Sequence, residues 1–108
     1  AVYITLILIS AADVLSGVLA ATYSQTLSSK VSWRGMVKKA MMFLLVGAAA
    51  TLDSYPAVAA FGGPPLGQLL AGYFIANEGL SLIENAAAVG IPVPKFLRDA
   101  LAKLNGKE

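Results

Sequence analysis

Five polar residues within one predicted helix are the side chains of this sequence best placed to do chemistry. At 100° per residue they share one side of the helix, within an arc of about 120°. They are Asn77, Glu78, Ser81, Glu84 and Asn85. In an apolar helix, such carboxylates and amides serve proton relays, ion pathways or water-filled passages. Glu78 and Glu84, six residues apart, point about 120° away from each other, so they do not suit a pair that shares one proton.

The residue types missing from the chain exclude most catalytic chemistry. The 108 residues contain neither histidine nor cysteine. Imidazole acid–base catalysis, thiolate nucleophiles, disulfides and Cys/His zinc sites are therefore excluded. The sequence predicts a protein that is not an enzyme and that has no catalytic residues, no metal site and no cofactor.

The composition is that of an integral membrane protein. Hydrophobic residues make up 57% of the chain and charged residues 13%, with a mean hydropathy of +0.73. Soluble domains have about 45–50% apolar and about 25% charged residues. The charges are also segregated along the chain, which does not match a nucleic-acid-binding surface. We therefore predict a single membrane domain over residues 1–108 that binds no nucleic acid.

Hydropathy divides this domain into about three transmembrane helices. The spans are predicted at about 2–23, 38–60 and 66–89, each long enough for a hydrocarbon core of about 30 Å. Asp53 and Pro56 predict that the second span either ends near Leu52 or kinks before the proline. Residues 94–104 are predicted to form an amphipathic helix on the membrane surface. The fold class is thus all-α, and we expect further residues upstream of Ala1.

Basic residues on both sides of the second and third spans set the predicted orientation. The positive-inside rule places the two basic segments in the cytoplasm, with the uncharged turn near Gly62 outside and the C-terminus cytoplasmic. We expect these residues to anchor the chain at the cytoplasmic membrane edge: Lys30, Arg34, Lys38, Lys39, Lys95, Arg98 and Lys103.

The acids inside the spans raise the question of what surrounds them. An ionised acid costs about 2.5–3.5 kcal/mol at a helix centre, and we predict no intramembrane Lys, Arg or His to pair with it. The polar stripe of the third span could be a hydrogen-bonded seam in a static bundle, or it could line a water-filled oligomeric pore. On the first span, Asp13, Gly17, Ala20 and Ala21 are predicted to form a helix-packing face.

Three segments of the sequence resemble one family. Residues 13–21 (DVLSGVLAA), residues 27–39 (LSSKVSWRGMVKK) and residues 73–97, with their NEGLSLIEN and GIPVP motifs, follow the order of its signature. The family is the phage-lysis and toxin-secretion holins of Gram-positive phages and prophages. Such holins usually have a further apolar or amphipathic stretch ahead of their first Asp-containing span, which corresponds to residues 2–23 of this chain.

The resemblance implies a homo-oligomer in the bacterial cytoplasmic membrane. Its members form holes through which an endolysin, or a toxin, leaves the cell, so the expected partners are the lipid bilayer, further copies of the chain and that cargo. The residues leave two other classes open. A small ion or multidrug transporter also fits the size and the intramembrane acids, and a membrane subunit without a pore, such as an antiholin, fits the apolar helices.

Overall fold

All regular structure in the described part of the chain is helical. A computed structural model describes residues 1–26, 29–104 and 106, and the side chains of these except residues 29–32, 101 and 104. It contains five helices: α1 (Val2–Tyr23), α2 (Ser29–Asp53), α3 (Pro56–Ala59), α4 (Leu66–Ala88) and α5 (Lys95–Leu104). The all-α prediction is confirmed for these residues, none of which lies in a strand.

Two of the described helices are long and apolar enough to cross a membrane. They are α1, with 22 residues, and the 21 residues Trp33–Asp53 of α2. A helix of 22 residues rises about 33 Å, which exceeds a hydrocarbon core of about 30 Å. Helix α4 has 23 residues but carries more polar side chains, and it does not pass the same test. Its crossing, and with it the third span, stays a prediction.

Helix α2 differs in position from the second predicted span. It begins at Ser29 and ends at Asp53, whereas hydropathy marks residues 38–60. The basic connector is already helical because helix formation depends on backbone propensity, and Lys, Arg and Met favour it. At the other end, Pro56 starts the separate short helix α3, preceded by Tyr55 in an extended conformation (φ −85°, ψ 123°). A residue before proline is disfavoured in the α region, which explains the break.

Helix α4 occupies the centre of the fold and contacts α1, α2 and α5. The apolar core lies where α1, α2 and α4 meet, and it consists of Leu6, Met42, Val46 and Ala71. Gly67 allows the closest approach. A Cβ atom at Gly67 would lie 2.9 Å from the Ala50 Cα atom and would collide with the Tyr3 hydroxyl oxygen. Glycine is therefore required where α4 packs against both neighbours.

Helices α2 and α4 are antiparallel, and residues 54–65, which include α3, join them. The Asp53 carboxylate, at the end of α2, accepts hydrogen bonds of 2.7 Å from the backbone N–H groups of Leu66 and Gly67. It thereby caps the N-terminus of α4, whose first N–H groups have no partner within the helix.

The C-terminal end of α4 is set by Gly90, which has a positive φ of 92°. The Ile91 N–H donates back to the Ala86 carbonyl oxygen at 3.1 Å, a pattern that closes many helix ends. Helix α5 then packs against α4. Its position on a membrane surface stays a prediction.

Candidate functional site: a polar cluster between three helices

Lys39 joins two carboxylates from different helices. Its ammonium nitrogen Nζ lies 2.7 Å from Asp13 Oδ2 on α1 and 2.6 Å from Glu78 Oε1 on α4. Both distances are those of strong, charge-assisted hydrogen bonds. The cluster of Asp13, Lys39 and Glu78, with one base between two acids, therefore links all three long helices.

Asn85 adds a second connection between α4 and α1. Its amide nitrogen Nδ2 donates to Ser16 Oγ at 2.9 Å and to Asp13 Oδ1 at 3.1 Å. The Ser16 hydroxyl in turn donates to the Asp13 backbone oxygen at 3.1 Å. The second oxygen of Asp13 is thus held by Asn85 while the first binds Lys39, so Asp13 cannot rotate without losing both partners.

The cluster is largely shielded from the surroundings. Side-chain exposure is 5% for Glu78, 12% for Asp13 and 19% for Lys39. Charges so enclosed interact strongly and need partners, because removal from water is costly. The expectation that no basic residue pairs with these acids is therefore wrong for Asp13 and Glu78. Lys39 is predicted as a membrane-edge anchor. In the structure its side chain points inward, where the ammonium group at the end of its long stem contacts both carboxylates.

A cavity of about 580 Å³ lies beside the cluster, between α1 and α2 and over α4. Its polar lining includes four residues of the predicted stripe, the charged cluster itself and two further polar residues at its edge, whereas its remaining walls are apolar or small. The polar lining residues are Asp13, Thr26, Lys38, Lys39, Asn77, Glu78, Ser81 and Asn85. A space of this size with several hydrogen-bonding groups can hold water.

The structure divides the five stripe residues into two groups. Asn77, Glu78, Ser81 and Asn85 line the cavity, whereas Glu84 is exposed and lies outside that lining. Asn77 has interactions of its own. The lumen role of the stripe stays a prediction.

The small residues of α1 lie where this helix meets α4. Gly17 and Ala21 line the cavity, and Ala20 is 8% exposed. A Cβ atom at Gly17 would lie 3.5 Å from Asn85 Nδ2, an ordinary contact distance. Together with Asp13 they border the polar cluster.

The other predicted anchors occupy different positions from Lys39. Arg34, Lys38, Arg98 and Lys103 are exposed, and Lys95 forms an exposed ion pair of 3.2 Å with Asp99. The Lys30 side chain lies outside the described residues, as do residues 27 and 28 of the second motif. Whether these residues anchor the chain at a membrane edge stays a prediction.

Three functional features escape sequence reasoning: the bridging role of Lys39, the contribution of Ser16 and the cap formed by Asp53. The sequence signal that could have revealed the role of Lys39 is its distance along α2 from the connection to α4. Counting back from the α2–α4 turn places Lys39 and Glu78 at nearly the same level, about 18–20 Å from the turn. Among the described residues, no three His, Cys, Asp or Glu side chains lie close enough to hold a metal ion.

Comparison with known proteins identifies the family of the chain. The sequence profile of the bacteriophage holin family matches residues 1–106. The chain belongs to the bacteriophage holin family. A probable holin of Bacillus phage phi105 is 35% identical over 89 residues, which cover 82% of this chain and 63% of the phage protein.

Two bacterial relatives of this holin-family chain are similar over a greater length. An uncharacterised protein of Clostridium perfringens strain 13 is 38% identical over 104 residues, covering 96% of this chain and 75% of the relative. An uncharacterised protein of Bacillus subtilis strain 168 is 35% identical over 103 residues, covering 95% and 71%. No solved structure matches the chain.

Proposed function

We propose that this chain is a holin that assembles with further copies of itself and opens holes in a bacterial cytoplasmic membrane. The observation that carries the proposal is the match to the bacteriophage holin family over residues 1–106. Apolar helices α1 and α2 support a membrane location. The holes release an endolysin, which then reaches and degrades the cell wall.

In the proposed topology, α1, α2 and α4 all cross the membrane. Three crossings place the α1–α2 connection and the α5 segment on the same side. Both segments are basic, so the positive-inside rule puts them in the cytoplasm. Helix α4 crosses because Lys39 compensates Glu78 and the Asp53 cap satisfies its first N–H groups. Each of these contacts lowers the cost of placing α4 in the bilayer.

The polar face of α4 gives the proposed mechanism two states. In the single chain, Glu78 and Asn85 are satisfied by Lys39, Asp13 and Ser16. In the hole, the same face turns toward the lumen and water replaces these partners. Because the polar groups are satisfied in both states, the change of environment does not leave a buried group without a hydrogen bond.

The function is tested by expressing the chain in a bacterium with and without an endolysin that lacks an export signal. We expect rapid lysis only when both are present, and loss of membrane potential with the chain alone. Intact cells in both cases would contradict the proposal, and delayed lysis next to a known holin would identify an antiholin instead. Release of a toxin, the other cargo that the family resemblance implies, is tested by replacing the endolysin with a reporter toxin.

The lumen role of the α4 polar face is tested by thiol labelling, since the chain has no cysteine of its own. Ser81→Cys lies on the cavity side of α4, and Leu69→Cys lies on the far side, about 120° away. A membrane-impermeant thiol reagent should label the Ser81 variant only after holes open and should not label the Leu69 variant. An unlabelled Ser81 variant in lysing cells would exclude this face from the lumen.

A further inference from the structure

Among the carboxylates of the described residues, Glu84 is the one without a partner in the fold. It is exposed on α4 and forms no hydrogen bond or ion pair with any described residue. By contrast, Asp13 and Glu78 bind Lys39, Asp53 caps α4, and Asp99 pairs with Lys95. In a membrane helix, an uncompensated acid points to a partner outside the chain.

The contacts between α2 and α4 define which residues lie at the same depth. Gly67 meets Ala50, and Glu78 binds Lys39, so each step forward along α4 matches one step back along α2. Six residues beyond Glu78 is Glu84, and five residues before Lys39 is Arg34. Glu84 and Arg34 therefore lie level to within about one helical rise of 1.5 Å.

Glu84 and Arg34 do not meet within one chain because they point away from its interior. Glu84 lies about 120° around α4 from Glu78, and Arg34 lies about 140° around α2 from Lys39. Both residues are exposed, and Arg34 also has no ion pair with a described residue. Two opposite charges at one depth are thus left on the outer surfaces of two different helices.

On each of the two helices, exposed apolar side chains lie on the same side as the unpaired charge, farther along the helix. On α4, Tyr73 and Leu66 lie on the side of Glu84, with exposures of 47% and 40%. On α2, Leu45 and Leu52 lie on the side of Arg34, each 50% exposed. By the same register, Tyr73 is level with Leu45, and Leu66 with Leu52, to within about one helical rise of 1.5 Å. The two outer surfaces therefore match in charge and in the positions of their large side chains.

We propose that α4 of one copy packs against α2 of the next, with Glu84 paired to Arg34 of that neighbour. This inference rests on the proposed function, in which identical copies cross the membrane in one orientation. Residues that are level within one chain are then level between neighbours. Because the two surfaces differ, the contact is head-to-tail, and such a contact closes a ring when the rotation between neighbours divides a full turn. The pair forms near the membrane edge, where charge pairing is less screened than in water.

The pairing is tested by exchanging charges between copies. Glu84→Arg alone and Arg34→Glu alone should each prevent assembly and lysis, because like charges then face each other. Co-expression of the two variants should restore both, since alternating copies regain opposite charges at every contact. As a control, Glu84→Arg combined in one chain with Lys38→Glu, at a nearby exposed lysine, should not lyse, because the introduced arginine would still face Arg34 of the neighbour. Either single variant lysing at the wild-type time, or no restoration on co-expression, would overturn the proposal.

A crosslinking measurement covers variants that fail for other reasons. Glu84→Cys and Arg34→Cys, carried by separately tagged chains, should form a disulfide-linked dimer in isolated membranes. Trp33→Cys in place of Arg34→Cys is the matched control, at nearly the same depth but about 100° around α2. We expect about tenfold more dimer with Arg34→Cys, and equal yields would overturn the interface. Because this readout does not need lysis, it is separate from a failure of the holin function itself.

Discussion

At the scale of single residues, the central feature is that one ammonium group serves two carboxylates. Lys39 contacts both Asp13 and Glu78, whose own positions are fixed by different helices. Removing either acid leaves an ion pair, whereas removing the base leaves two enclosed acids next to each other. The consequences of mutation are therefore unequal within the cluster, and Lys39 is the residue on which the closed arrangement depends most.

Lys39→Met is expected to destabilise the fold by about 3 kcal/mol, the lower part of the range for breaking a buried charge pair. Methionine preserves most of the apolar stem, so the loss comes from the charge. The measurement is the free energy of unfolding in mixed detergent micelles. Lys38→Met, at an exposed position, is the matched control and should change the free energy by less than about 0.5 kcal/mol. Equal effects of the two variants would contradict the bridging role.

Residue spacing predicts part of this site and misses the rest for a physical reason. The helical period places Asn77, Glu78, Ser81 and Asn85 on one side of α4, because side-chain direction along one helix follows from the backbone alone, and all four line the cavity. The helical period does not predict that Glu84, at the border of the same arc, is exposed and lies outside the cavity lining. The partner Lys39 comes from another helix, so its contact depends on how α2 and α4 pack, which no single helix encodes.

At the scale of elements, α4 is fixed near its start by its close contact with α1 and α2 and by the Asp53 cap. The Gly67 position has no room for a methyl group between Ala50 and Tyr3. The preceding N–H groups are held by Asp53. The start of α4 is thus the part of the fold with the least freedom to shift.

Gly67→Ala is expected to destabilise the chain by about 1–3 kcal/mol, since the added Cβ atom would force α4 away from Ala50. Gly72→Ala on the same helix is the matched control. No atom lies within 4 Å of a Cβ built at Gly72, so alanine should stabilise the helix by up to about 1 kcal/mol. Unfolding of both variants in detergent gives the comparison. A stabilising effect at Gly67 would show that α4 is not held there.

Element boundaries show where sequence reasoning succeeds and where it stops. Prolines and Gly90 give the ends of α4 closely, because they act on the local backbone. The start of α2 at Ser29 is missed because hydropathy reports where a chain prefers lipid, whereas helix formation continues into the basic residues before it. The contact of α5 with α4 is a tertiary feature and has no local signal.

At the scale of the whole molecule, the arrangement around α4 makes the orientation testable. We expect alkaline phosphatase fused after Gly62 to be active, since this turn is predicted to lie outside the cytoplasm. A fluorescent protein fused after Gly106 should fluoresce, since the C-terminus is predicted to be cytoplasmic. Fluorescent protein fused at Gly62 is the control and should stay dark. The reverse pattern, or two fluorescent fusions, would contradict the three-span topology.

The tight contact at Gly67 has a mechanical consequence for α4. Glu78 lies eleven residues farther along, a distance of about 16 Å. With the start of the helix held, α4 can move chiefly by swinging about that fixed point. A swing of roughly 10° would carry Glu78 about 3 Å, enough to separate it from Lys39 while Gly67 stays in place. Helix α4 would then separate from α1 and α2 most widely toward the Asn85 end.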